Sequence, residues 1–268
     1  MNRKPSFNGS FYPSNKTELT ETIKTFFKES KREKKTNCVI VPHAGYPYSG
    51  LTAAKTLSKL KENEINVLLG PNHSGLGNFL SIAKAEQWET TLGKVKVSRE
   101  KEKLNELIGY SVLDDKAFEK EHSLEVLLPL LQELFANKEF SILPVCIAFH
   151  DLEVLEKLGE SLFELEESLG KELNVIASTD FTHFEREEKA KEIDFQAIEL
   201  IKKLDYKGFH EFVLKENASI CGFAGVTALM VYARKKGLKK VELIEYTNSG
   251  KATGDYSSVV AYAGIVFE

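Results

Sequence analysis

The chain has 268 residues, with 36 Lys and Arg against 40 Asp and Glu, a formal net charge of -4 and a hydrophobic fraction of 42%. Such a chain can bury a sizeable core, and without a clustered basic block it is not expected to track nucleic-acid phosphates. No apolar run reaches the ~20 residues that span a bilayer, the N-terminal segment lacks a signal-peptide apolar region, and three widely spaced cysteines make no disulfide framework; a cytoplasmic protein with no membrane partner is expected.

Residues 1–15 are polar and turn-rich, yet Phe7-Asn8-Gly9-Ser10-Phe11-Tyr12-Pro13 concentrates aromatics, most simply to pin a terminal segment to the body. Leu19, Ile23, Phe26 and Phe27 recur at helical spacing between Asn15 and Ser30, and Lys31 to Lys35 reads as a charged, solvated turn. The run Cys38-Val39-Ile40-Val41 then stops at Pro42 and delivers His43 into a turn containing Gly and Pro. A helix follows from Gly50 to Leu60 with Ser49 as a candidate cap. A second buried strand, Ile65 to Gly70, delivers His73 through Pro71-Asn72-His73. Strand, helix and strand within about 30 residues make a βαβ unit, so the two strands are expected to be parallel neighbours with both histidines at one sheet edge.

Phe79 to Ala85 and Lys94 to Val97 read as short strands around Trp88 and Gly93, forming a local hairpin or an excursion, and Glu100 to Ile108 as a helix. Glu121-His122-Ser123-Leu124-Glu125 opens an amphipathic helix that places His122 in its first turn. Phe140 to Ala148 is a third buried strand, in which Pro144 implies a bulge or an edge position. His150 and Asp151 begin a helix to Leu169, Asn174 to Asp180 is a fourth strand, and Phe181 to Phe184 precede a charged helix over 185–203. Further helices cover 206–216 and 226–235, the second introduced by Cys221-Gly222, and strands over 241–247 and 257–267 close the sheet. No repeat or linker interrupts the chain, so one α/β domain over residues 1–268 is expected.

Four of the six histidines, His43, His73, His122 and His183, sit at element ends, where the loops of an open α/β sheet converge. His150 and His210 stand without companions and take structural roles. Cys38 and Cys146 alternate within apolar strands as small core residues. Cys221 lies near a helix N-terminus, whose dipole would lower its pKa and favour thiolate, both a metal ligand and a nucleophile; filling a gap in the core is the plainer alternative. Asp180 either caps the next helix or orients His183, three residues on.

The ordered set Gly9-Ser10-Phe11-Tyr12-Pro13, Pro42-His43-Ala44-Gly45-Tyr46, Gly70-Pro71-Asn72-His73, Glu121-His122-Ser123-Leu124-Glu125, Ser178-Thr179-Asp180-Phe181-Thr182-His183, Cys221-Gly222 and Tyr246-Thr247-Asn248-Ser249 resembles the Memo family. That family is similar in fold to the class III extradiol ring-cleaving dioxygenases. The resemblance implies a three-layer α/β/α sandwich around a mostly parallel or mixed sheet, with a metal crevice at one sheet edge. Carried over by position, it implies His43, His73 and Cys221 as metal ligands, His183 as acid/base, Asp180 as its neighbouring carboxylate and His122 as a second pocket histidine. Phe11 stands where many members have Trp, and Asn8 departs from a commoner small residue. Fe2+ is the implied ion, with copper or zinc as alternatives, because a soft thiolate replaces the hard carboxylate of the dioxygenases. It also places an oxidisable sulfur beside the ion. Family association further implies a radical-SAM pathway partner for microbial members and phosphotyrosine peptides for animal ones.

Three functions follow as expectations. In the first, a metal-dependent oxidoreductase, His183 moves protons, His122 positions substrate, and Phe11, Tyr12, Tyr46 and Tyr48 supply an apolar wall. The second is a non-enzymatic module that binds a peptide or small ligand in the same crevice through Asn72, Ser74 and N–H groups at helix starts. The third makes Cys221 a nucleophile activated by a histidine.

Overall fold

The computed structural model describes residues 2–30 and 36–268, so the expected charged turn at Lys31 to Lys35 lies outside the described residues. The strands are β1 (Asn2–Arg3), β2 (Cys38–Val41), β3 (Ile65–Pro71), β4 (Leu80–Ile82), β5 (Gln87–Thr90), β6 (Gly93–Val97), β7 (Val112–Leu113), β8 (Ser141–Ile147), β9 (Leu173–Ser178), β10 (His183–Glu185), β11 (Val241–Asn248) and β12 (Val259–Phe267). The helices are α1 (Lys16–Lys28), α2 (Leu51–Leu57), α3 (Lys101–Ile108), α4 (Leu128–Leu134), α5 (Leu152–Leu169), α6 (Glu187–Lys202), α7 (Tyr206–Lys215), α8 (Phe223–Lys235) and the single turn α9 (Gly250–Thr253).

The strands form one sheet in the order β1-β5-β6-β8-β3-β9-β2-β12-β10, with β11 along β12 and β4 joining β8 to β7. At its centre β8, β3, β9 and β2 run parallel. These four are continuously buried runs rich in Val, Ile and Leu, the signature of strands covered on both faces. Alternate residues feed two separate cores: Cys38 and Ile40 face one that includes residues of α3 and α5 to α8, while Val39 and Val41 face another built on α1, α2 and α4. Helices on both faces of a mostly parallel sheet make the expected three-layer α/β/α architecture.

Several local expectations are corrected. The strands carrying His43 and His73 are parallel but not neighbours, because β9 lies between them and pairs with both. Ser49 caps nothing: the chain enters α2 through a π-helical turn over Tyr46–Gly50, and the Ser49 hydroxyl donates to the Ala44 carbonyl at 3.0 Å. Trp88 lies within β5, which forms a hairpin with β6, whereas β4 leaves to pair antiparallel with β8. His122 is not in a helix. It sits in the loop before a 3-10 turn, Glu125–Leu127, that leads into α4.

Pro144 is neither at a bulge nor at an edge. β8 pairs with β6 through Ser141 and Ile142 and with β4 through Val145 to Ile147, and Pro144 sits at the seam between these two partial neighbours. Its carbonyl faces that side, accepting from Ala83 N–H, and its missing N–H faces the same side, so the ladder with β3 is left intact.

Candidate metal centre

The loops that follow the parallel strands deliver the chemistry to one edge of the sheet, as expected for an open α/β fold. His43 follows β2, His73 follows β3, and Asp180 follows β9. Cys221 arrives from the other direction, just before α8, whose first residues begin beneath that edge. The donor atoms of His43, His73 and Cys221 all lie within 4.8 Å of one another. Donors bound at ~2.0–2.3 Å to one tetrahedral ion stand ~3.3–3.8 Å apart, so a small inward adjustment brings the three onto a common point. Cys221 Sγ is already 3.3 Å from His43 Nε2.

Each donor is held from behind. His43 Nδ1 meets Ser178 Oγ at 2.9 Å, and its backbone N–H donates to Asp180 Oδ1 at 2.8 Å. His73 meets the Glu121 carboxylate twice, through its backbone N–H at 2.6 Å and through Nδ1 at 3.0 Å. Cys221 Sγ accepts from Asp180 N–H at 3.3 Å, and Gly222 N–H donates to Thr179 Oγ1 at 2.9 Å. His122 stacks on His73, with centroids 4.7 Å apart and planes at 15°, and Phe11 covers its other side at 4.4 Å.

Burial dominates the electrostatics. His43 is pushed from 6.5 to about 3 by burial and then by the neighbouring His73 charge, and His122 to about 4 by burial and the His43 charge. Both are therefore neutral at pH 7, the form that ligates metal. Burial would raise Glu121, but hydrogen bonds from His73 and Ser123 outweigh it and hold the carboxyl at about 2. Asp180 is raised to about 6 by burial. The expected thiolate is corrected: burial and the adjacent Asp180 carboxylate push the Cys221 thiol well up, so the helix dipole does not win and the metal-free site holds a thiol. An ion would have to displace that proton.

The remaining candidates divide. His183 lies outside the donor group, with its Nδ1 2.7 Å from the Ser219 carbonyl and its backbone N–H donating to Ser219 Oγ, yet it stands within electrostatic range of both His43 and Asp180. Asp180 caps no helix; α6 begins at Glu187 behind Arg186, and the carboxylate serves the His43 backbone instead. Tyr12 and Tyr46 are buried, their hydroxyls donating to Glu125 Oε1 and the Val126 carbonyl. Asn72 spends its side chain inside the His73 loop, on Leu76, Ser74 and Gly75. His150 and His210 do have companions: each other, through His210 Nε2 and the His150 carbonyl at 2.6 Å, and Phe223 between their rings.

Sequence reasoning passed over the residues that hold the others. Glu121 and Ser178 were visible only as flanks of His122 and Asp180. Glu125 is wholly buried and gathers Arg3 Nη1 at 2.6 Å, the N–H groups of Ser6 and Phe7, and the Tyr12 hydroxyl, which straps residues 3–12 beside the crevice. An acidic residue on an otherwise apolar helical face was the available signal.

The fold and this donor set define an α/β protein whose crevice, at the C-terminal ends of its parallel strands, presents two imidazoles and one sulfur to a common point. The sequence profile described as Memo-like protein matches residues 3–266, and the chain belongs to that family. A MEMO1 family protein of Methanopyrus kandleri is 40% identical over 100% of this chain and 99% of its own length. One from Methanosarcina mazei is 38% identical over 99% of each chain. Among solved structures, an uncharacterized protein from Escherichia coli K12 superposes with a TM-score of 0.57 at 13% identity, covering 85% of this chain and 98% of that one, which shows shared fold alone.

Proposed function

We propose that the protein holds one first-row transition ion on His43, His73 and Cys221 and acts as a metal-dependent oxidoreductase, with iron or copper as its ion. The approach of three donors from distant parts of the chain carries the reading; His43 and Cys221 are 178 residues apart. Two imidazoles and a thiolate suit iron, copper or zinc rather than magnesium or calcium, and three protein donors leave positions open for a further ligand. When bound, such an ion supplies a redox-active Lewis acid.

The chain supplies the rest. Cys221 gives up its thiol proton on loading. His183 Nδ1 faces a carbonyl, which only accepts, so that nitrogen carries the hydrogen and Nε2 is free to take a proton at the edge of the crevice. Phe11 and Phe7 pack against His122 and keep water from that side of the stacked rings.

Protein purified without oxygen and reconstituted with Fe(II) or Cu should take one ion per chain and consume O2 with reducing substrates drawn from a metabolite screen. His73→Ala and Cys221→Ala should lose the ion. Unimpaired binding by Cys221→Ala, or absence of turnover in every loaded form, overturns the reading.

A further inference from the structure

We propose that the segment Glu121–Ser123 is a single positioning device for both metal-binding imidazoles, one that fixes their tautomers before any ion arrives. The inference rests on the metal-site reading above and assigns roles to Glu121, Ser123 and Ser178, all outside the proposed ligand set of His43, His73 and Cys221.

A proton inventory carries it. The Ser178 hydroxyl has one hydrogen and lies 2.8 Å from the Ser123 carbonyl, a group that only accepts. That hydrogen is therefore committed to Ser123, and Ser178 turns a lone pair towards His43 Nδ1 at 2.9 Å. His43 Nδ1 must carry the hydrogen, which leaves the Nε2 lone pair facing Cys221 Sγ. On the other histidine, Glu121 Oε1 receives Ser123 N–H at 2.8 Å and His73 Nδ1 at 3.0 Å, while Oε2 receives His73 N–H at 2.6 Å. Two of these partners are backbone donors, so the carboxylate acts as acceptor throughout and His73 Nδ1 also carries its hydrogen. Each ring thus carries a hydrogen on Nδ1, so its neutral form is the one with Nε2 bare.

One short segment makes both settings: Glu121 through its side chain, Ser123 through its carbonyl. It packs closely on β3, since a Cβ on Gly70 would lie 2.8 Å from Ser123 Oγ and 2.6 Å from Leu124 Cδ2. The two settings differ in kind. His73 is backed by an anion and His43 by a neutral hydroxyl, so His73 is the stronger electron donor of the pair.

The test separates this inference from the metal site itself. In metal-free wild-type protein, nitrogen-15 NMR of the imidazoles should show His43 and His73 in the Nδ1–H form; finding either in the Nε2–H form overturns the inference. Glu121→Gln should release His73 from that form and weaken Co(II) and Zn(II) binding about 10–100-fold, with the thiolate-to-cobalt absorption retained. Ser178→Ala should release His43 while leaving His73 unchanged, with a loss of affinity at the lower end of that range. Unchanged tautomers and unchanged affinity in Glu121→Gln overturn the inference even where wild-type protein binds metal. Wild-type protein that shows both tautomers yet binds no ion leaves the positioning intact and sinks the metal reading instead.

Discussion

Gly222 is packed so closely on the end of β9 that a Cβ there would overlap the carbonyl oxygen of Ser178 and lie 2.7 Å from Thr179 Cβ. The obstacle is mostly backbone, which cannot rotate aside. Cys221 owes its place to this contact. Gly222→Ala should move the sulfur away from His43, abolish thiolate-to-cobalt absorption and destabilise the fold by about 1–3 kcal/mol. Normal cobalt spectra from that variant would show that the sulfur does not depend on the close approach.

The buried Glu125 carboxylate is the anchor of residues 3–12. Glu125→Ala removes the acceptor of Arg3 Nη1, of two backbone N–H groups and of the Tyr12 hydroxyl, leaving Arg3 only the Phe118 and Glu121 carbonyls. Breaking one partner of a buried pair costs about 3–5 kcal/mol. Chemical denaturation should report a loss of that size, and limited proteolysis should cut within the first dozen or so residues of the variant sooner than in the parent.

Four buried groups of the site contribute to the acid response of the metal-free protein. His43 and His122, lowered to about 3 and about 4, take up protons more readily in the unfolded chain, so each adds stability that is lost as pH falls from 6.5. Glu121, held at about 2, adds stability lost as pH falls from 4.5. Asp180 opposes them: raised to about 6, it favours the folded state most below 3.8 and surrenders that as pH rises through 6. Asp180→Asn removes the opposing group. Between pH 6 and 4 its stability should therefore fall more steeply than the parent's, by up to about 1 kcal/mol per pH unit. Urea titrations at several pH values give both slopes, and parallel slopes contradict the assignment.

Phe184 occupies φ +61°, a left-handed conformation that costs a bulky residue about 1–3 kcal/mol, and it is 77% exposed. It falls where the β10–β12 register slips between His183 and Glu185. Little burial offsets the strain, so Phe184→Gly should raise the melting temperature of the metal-free protein. A lower one would mean that the ring packs more than its exposure implies.

The parallel strands were legible because each is a short apolar run, three of the four closed by Pro or a small polar residue, and the histidines declared themselves by following those runs. The order of the sheet was not. Nothing local in Ile65 to Gly70 tells it to pair with residues 173–177 rather than with the strand one helix earlier, because adjacency is decided by which helices fill each face. His122 was misplaced for a related reason: the leucine spacing after Leu124 is helical, but Glu121 and Ser123 are drawn off to His73 and Ser178, so the turn before it stays irregular. The state of Cys221 depended on its burial and on a neighbour, Asp180, that only the folded chain brings close.

The strand that separates β2 from β3 is drawn from residues 173–178, and Cys221 comes later still. As the polypeptide emerges from the ribosome, the two histidine-bearing segments must wait, without their shared neighbour, while most of the message is read. Contacts so distant along the chain are slow to form. On the proposed metal reading, ion capture would be a late event that certifies a finished sheet, and a truncated or misthreaded copy would declare itself by failing to take up metal.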